Sequence, residues 1–150
     1  MNLTVLKLGG ELLETRQTLT AMGQMVTRSA TRLVIVHGGG RAIDTALLTA
    51  GISKRQIDGL RVTDMHTLDI VVAVLAGTIN TRLVAAINAA GGKAVGLTGA
   101  DAGVAPVKKA GAHRATSGEL VDLGLVGEPI RSGPPELLRV LVARGFVPVI

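Results

Sequence analysis

The sequence predicts an α/β protein, a three-layer αβα sandwich built on a mainly parallel sheet. Three observations carry that expectation. Residues 3–8 (LTVLKL) and 32–36 (RLVIV) are short runs that read as apolar on both faces, as strands covered by helices on both sides must be. Each run stops at glycines, Gly9-Gly10 in the first case and Gly38-Gly39-Gly40 in the second. Each then feeds a segment whose apolar residues recur at helical spacing.

The remaining elements follow in order. Leu19, Met22, Val26 and Ala30 place a helix over 16–30, and Ile43, Ala46, Leu47 and Ala50 place another over 41–50, stopped by Gly51. Residues 53–64 alternate polar and apolar around Asp58-Gly59, which predicts a small hairpin. Asp64 is placed to cap a long helix. Leu68, Val71, Val72 and Leu75 form its first stripe, and Ile79, Leu83 and Ile87 continue it. Gly77 is placed to bend or split that helix. Its segment IVVAVLA is apolar all round, so it is buried or lies in a subunit interface.

Residues 93–99 (KAVGLTG) read as a third parallel strand. VAPVKK and GELVDLGLVGEP read as antiparallel strands at an edge, with AGAHRATSG between them as a candidate mobile loop. Pro134 and Pro135 open a helix over 134–144 that buries Leu137, Leu138, Leu141 and Val142. FVPVI then begins another buried strand. A chain that stops there is expected to be the first part of a longer protein, truncated in the sheet.

Composition narrows the function classes. With 47% hydrophobic and 18% charged residues the chain is neither disordered nor highly charged. Phe146 is the one aromatic residue, so the core must be built from Leu, Val, Ile and Ala. There is no cysteine, which excludes a disulfide scaffold and thiolate metal sites and is compatible with a reducing cytoplasm. No uninterrupted apolar run reaches the roughly 18 residues of a membrane span, and the first ten residues do not make a secretion signal. The expectation is a soluble cytoplasmic protein with no membrane partner. The net charge of +5 is spread over scattered Lys and Arg, with only Lys54-Arg55 and Lys108-Lys109 adjacent and no interleaved aromatics. No nucleic-acid partner is expected.

The glycines carry the chemistry. A strand that ends in glycines and feeds a helix presents bare backbone N–H groups and the positive end of the helix dipole. Gly38, Gly39 and Gly40 therefore read as the receiving place of a phosphate or carboxylate; the competing reading is a plain tight turn. Neither G-x-x-x-x-G-K-[ST] nor G-x-G-x-x-G occurs, which argues against the common nucleoside triphosphate and dinucleotide loops. Lys7 lies in an apolar strand just before Gly9-Gly10. It either presents its charge to a phosphoryl group in transfer or reaches water along its stem. Arg61 follows the hairpin turn and is either a two-pronged carboxylate clamp or a solvated hairpin arginine. His37, His66 and His113 do not have metal-ligand spacing, and no metal site is expected. None of Ser29, Ser53, Ser117 and Ser132 stands in a nucleophile-elbow setting.

Taken together, KLGGELL (7–13), LVIVHGGGRAID (33–44), GLRVTD (59–64), LAGTINTRLVAAI (75–87) and AVGLTGADAG (94–103) resemble the amino acid kinase family. The combination of HGGG with GLRVTD is similar to the branch that phosphorylates N-acetyl-L-glutamate in arginine biosynthesis. The resemblance implies transfer of the γ-phosphoryl of ATP, with Mg²⁺, to a side-chain carboxylate. It implies that Lys7 stabilises the phosphoryl in flight, that Lys7, Gly9 and Gly10 face the nucleotide phosphates, and that the N–H groups of Gly10 and Gly39 hold phosphoryl oxygens. Gly39, Gly40 and Arg61 would bind N-acetyl-L-glutamate, with Arg61 on the α-carboxylate. Residues 1–150 would then be the N-terminal acetylglutamate-binding and dimerisation domain, without the nucleotide-binding half. A homodimer through the helix around 65–76 is implied, of the arginine-insensitive kind that lacks an extra helix before the first strand. Two alternatives stay open: a sister kinase of carrier-bound aminoadipate or glutamate, and a non-catalytic amino-acid-binding module.

Overall fold

The computed structural model describes residues 3–131, 133 and 135–150; Ser132 and Pro134, named above, lie outside them. In chain order come β1 (Leu3–Leu8), a 3₁₀ turn (Gly10–Leu13), α1 (Arg16–Arg28), β2 (Arg32–His37) and α2 (Gly40–Thr49). The hairpin β3 (Gln56–Ile57) and β4 (Leu60–Arg61) precedes α3 (Met65–Val72), a π-helical segment (Ala73–Ile79), α4 (Asn80–Ala89) and β5 (Ala94–Gly96). Short strands β6 (Val107–Lys109), β7 (His113–Arg114), β8 (Leu120–Val121) and β9 (Gly127–Pro129) follow, then α5 (Glu136–Ala143) and β10 (Val147–Val149).

β1, β2, β10 and β5 lie side by side in that order, all parallel. The last strand is therefore in the middle of the sheet, between β2 and β5. Its Val149 is wholly buried beside Ile35. These two join Leu47, Leu83 and Ile87 as the most deeply buried core side chains, so the core is aliphatic, as a chain with one aromatic residue requires.

Local sequence sets the element ends. Thr15 caps α1, its hydroxyl accepting from Thr18 N–H at 3.1 Å, and Asp64 caps α3, accepting from Thr67 N–H at 2.8 Å. Ala30 falls beyond the end of α1 and is exposed, so it is not part of the buried stripe. Asp58 and Gly59 both take positive φ, +50° and +80°, as a two-residue hairpin turn demands. Pro135 stands at the N-cap position of α5, two residues before Leu137 opens the expected helical stripe.

β1 is not apolar-buried on both faces as expected. Leu3 and Val5 are more than half exposed, because the face they share is flanked only by α5 across an open groove. The four late strands do not extend the main sheet either. β6 pairs with β9 and β7 with β8, as two separate antiparallel ribbons. They join the rest through Thr63, whose N–H donates to Leu123 O (2.9 Å) and whose carbonyl accepts from Leu125 N–H (2.7 Å).

Met65–Ala89 is one continuous helix of 25 residues containing an 18-residue stretch of mean hydropathy 2.0, long and apolar enough to cross a membrane by length and composition. Leu83 and Ile87 lie in the aliphatic core of the α/β domain, and the buried Asn80 side chain donates to the Val149 carbonyl of the sheet at 2.9 Å. Gly77 does not split this helix. It lies inside the wider π turn, exposed, with nothing within 4 Å of where a Cβ would stand.

α1 crosses α4 at Gly23, where a Cβ would collide with the Ala86 carbonyl and lie 2.9 Å from its carbon. Backbone cannot give way as a flexible side chain does. Gly23→Ala should cost about 1–3 kcal/mol by overpacking, seen as a lower urea midpoint at unchanged slope; wild-type stability would disprove the tight crossing.

Candidate functional site

In a parallel sheet all strands end at the same edge, and ligands bind beyond it. That edge here gathers Gly9-Gly10 after β1, His37 to Gly40 after β2, Leu97 to Gly99 after β5 and Ile150 after β10. The two glycine bends face each other. Gly38 N–H donates to Leu8 O at 3.0 Å, and a Cβ on Gly10 would lie 2.8 Å from the Gly39 Cα. The two bends thus share one small volume.

The three consecutive glycines are not equivalent. A Cβ on Gly39 would run into Ile79 Cδ1 and stand 2.9 Å from Leu75 Cδ2, so the π segment presses directly on this loop. At Gly38 the nearest atoms would be 3.9 Å away, and at Gly40 nothing lies within 4 Å. Of these three, only Gly39 excludes a side chain sterically. Gly10 is the glycine that completes the constraint. Gly39 is the N-cap of α2 and makes no side-chain cap bond, so the first N–H groups of that helix stay available to an anion.

Lys7 pairs in register with Val36 near the carboxyl end of β1 and is exposed. Among the described residues it has no hydrogen bond or ion pair, so no protein carboxylate neutralises it. Gly9 is half-buried and extended, and its carbonyl accepts from Leu12 N–H (3.2 Å) to open the 3₁₀ turn that follows.

Arg61 is no solvated hairpin arginine. Its side chain is 15% exposed, Nη2 is paired with Asp44 Oδ1, and Nη1 is buried without a partner among the described residues. Asp44 sits one turn into α2, and its other oxygen accepts from Lys54 Nζ at 2.6 Å. The Lys54 hydrogen bond first, then Arg61, holds the Asp44 carboxyl below its ordinary value against the opposing effect of burial. A buried guanidinium nitrogen left unpaired is costly, and a two-oxygen anion is the group that best satisfies it.

Sequence reading missed two residues of this edge, Asp44 and Asn80. Asn80 Nδ2 donates to Val149 O and to His37 Nε2 (3.3 Å), which makes Nε2 the acceptor and leaves Nδ1–H for Gly38 O, also at 3.3 Å. His37 therefore braces the glycine bend in its neutral form. One signal was visible beforehand: an Asn in the middle of an aliphatic helical stripe. The apolar side of the edge is a cleft of about 370 Å³ between Val71, Leu75, Asn80, Leu97 and Ile150.

The candidate mobile loop is fastened down. Asp58 accepts from His113 Nε2 (2.9 Å), from Thr116 N–H (2.9 Å) and from Thr116 Oγ1 (2.7 Å), tying the β3–β4 turn to the β7–β8 ribbon. These bonds, Thr116 foremost, hold the Asp58 carboxyl below its ordinary value. Among the described residues no group of three or more His, Asp or Glu could hold a metal ion.

Fold and site together define an α/β domain that offers bare main-chain amides to an anion at its strand ends and a guanidinium to a second one nearby. The family model described as "Amino acid kinase family" matches residues 2–150, and the chain belongs to that family. It is 41% identical to an acetylglutamate kinase of Stutzerimonas stutzeri over 97% of this chain and 51% of the relative. It is 39% identical to an acetylglutamate kinase of Methanopyrus kandleri, over 97% and 55%. The chain spans about half the length of the curated relatives it matches. In structure it is similar to an N-acetylglutamate synthase of Neisseria gonorrhoeae, solved with coenzyme A and N-acetyl-glutamate (TM-score 0.75, 24% identity, 98% of this chain and 32% of that one). It also resembles a carbamate kinase of Giardia (TM-score 0.56, 12% identity, 98% and 58%). These likenesses show the fold, a three-layer α/β architecture shared by enzymes with different substrates.

Burial lowers the His37 pKa below its ordinary 6.5, with the Gly38 bond acting weakly the other way. As pH falls through 6.5 the unfolded chain takes up that proton before the native one, so stability should drop until the native pKa is passed. His37→Gln should flatten the stability-versus-pH curve in that window; an unchanged slope would rule out a neutral, buried His37.

Proposed function

We propose that this chain supplies the amino-acid site of an N-acetylglutamate kinase, which transfers the γ-phosphoryl of ATP to the side-chain carboxylate and yields an acyl phosphate. The observation that carries this reading is the Gly10–Gly39 contact, with Arg61 tied to the helix that starts one residue later. The names of the relatives at 39–41% identity support the choice of acceptor.

The residues fit the phosphate groups. At Gly10 a methyl would collide with the Gly39 backbone, so only glycine lets the two bends and their amides stand this close, and among the described residues Lys7 is a cation with no protein partner. Lys7, Gly9 and Gly10 would face the nucleotide phosphates, and Gly39 and Gly40 the acceptor carboxylate. ATP, with Mg²⁺, supplies the phosphoryl group when bound. Lys7 would stabilise negative charge that grows on the transferring oxygens, as preorganised amides at Gly10 and Gly39 would. Arg61 Nη1 would take the α-carboxylate, fixing the acceptor at its far end. No residue here needs to form a covalent bond, so the site works by position and field.

We also propose a homodimer through the helix around 65–76. Met65 and Val72 there are 61% and 53% exposed, large apolar side chains on a surface that a second copy would cover.

The test uses the full-length enzyme. Lys7→Ala should lower kcat by about a hundredfold or more, the scale of losing one transition-state donor, with little change in KM for acetylglutamate. A fall of less than about threefold, under ~1 kcal/mol of barrier, would remove Lys7 from the chemistry. Arg61→Ala should instead raise that KM by roughly tenfold to a hundredfold, the loss of a charge-assisted hydrogen bond.

A further inference from the structure

Among the described residues Arg61 is held by one nitrogen only. Asp44 takes Nη2, Lys54 takes the other Asp44 oxygen, and Nη1 is buried with nothing bonded to it. The carboxylate therefore stands between two cations, one oxygen for each. It is also carried by α2, whose first residue is Gly40 of the glycine bend. One rigid helix thus bears both the bend and the group that fixes the guanidinium.

We propose that Asp44 is a positioning residue for the acceptor: by holding Arg61 through Nη2 it presents Nη1 to the acceptor's second carboxylate. The proposal rests on the reading of Arg61 given above. The physics sets two roles against each other. As a bare charge, Asp44 opposes an anionic substrate, and removing it would strengthen binding through the site's greater positive potential. As an aiming group, it keeps two long cationic side chains from repelling each other out of place, and removing it would disorder the fork. Preorganised donors bind more tightly because the ordering is already done. The sign of the change in KM separates the roles.

The experiment is steady-state kinetics of full-length Asp44→Asn and Asp44→Glu. The acceptors are N-acetyl-L-glutamate and its analogue with a primary amide at the α-carboxyl. Asp44→Asn should raise KM for the acid by roughly tenfold, with kcat within about threefold. Its KM for the amide, already high in the wild type, should shift by less than about threefold because the aimed donor has no carboxylate to meet. Asp44→Glu should give an intermediate KM for the acid, and it carries the test alone if the Asn variant does not fold. An unchanged or lower KM for the acid, or equal losses on acid and amide, overturns the proposal. If Arg61→Ala raises the acid KM and the Asp44 variants do not, only the aiming role falls. If Arg61→Ala leaves it unchanged, the reading of the acceptor site falls as well.

Discussion

The constraint on which the strand-end edge depends is backbone against backbone: Gly10 beside Gly39, with the Gly39 position also closed off by Leu75 and Ile79. Three separate stretches of chain meet there without a side chain of the first two in the gap. The parallel register of β1 and β2 sets this up, since Leu8 stands opposite His37 and both strands run out at one level. A sheet with those strands antiparallel would put the bends at opposite edges. The anion-binding character proposed for the edge thus rests on strand direction plus two missing methyl groups.

Much of this was legible in the sequence because it rests on period and punctuation. Double-sided apolar runs ending in glycine gave strands and direction; Asp58-Gly59 gave the hairpin; Asp64 gave a helix start. What could not be read was partnership. Nothing in the spacing of Asp44 and Arg61, 17 residues apart, says that they meet, and hydrophobic pattern is silent on where a carboxylate points. The triple glycine misled in a specific way. Side chains are excluded at Gly39 by a helix 36 residues further on, which local reading had no means to see. The loop over 110–118 looked mobile by composition, yet one aspartate on another hairpin fixes it through three hydrogen bonds.

The long helix shows how composition and context divide the work. By itself Met65–Ala89 is apolar enough for lipid. Within the domain, Leu83 and Ile87 enter the core while Asn80 serves two acceptors, Val149 O and His37 Nε2. Leu75 and Ile79 both lie in the π segment and both reach the same glycine. Extra width in a helix costs backbone regularity, and such turns recur where a chain must serve a site.

The position of β10 has a consequence for assembly. β10 is wedged between β2 and β5, so Val149 must find Ile35 across more than a hundred residues of chain. Contacts that distant in sequence form slowly, since loop closure precedes any reward. Until that insertion, β1 and β2 can zip together early but β5 has no neighbour. A nascent chain would therefore carry an unpaired, sticky strand edge until β10 emerges, the period in which a chaperone would matter most to it.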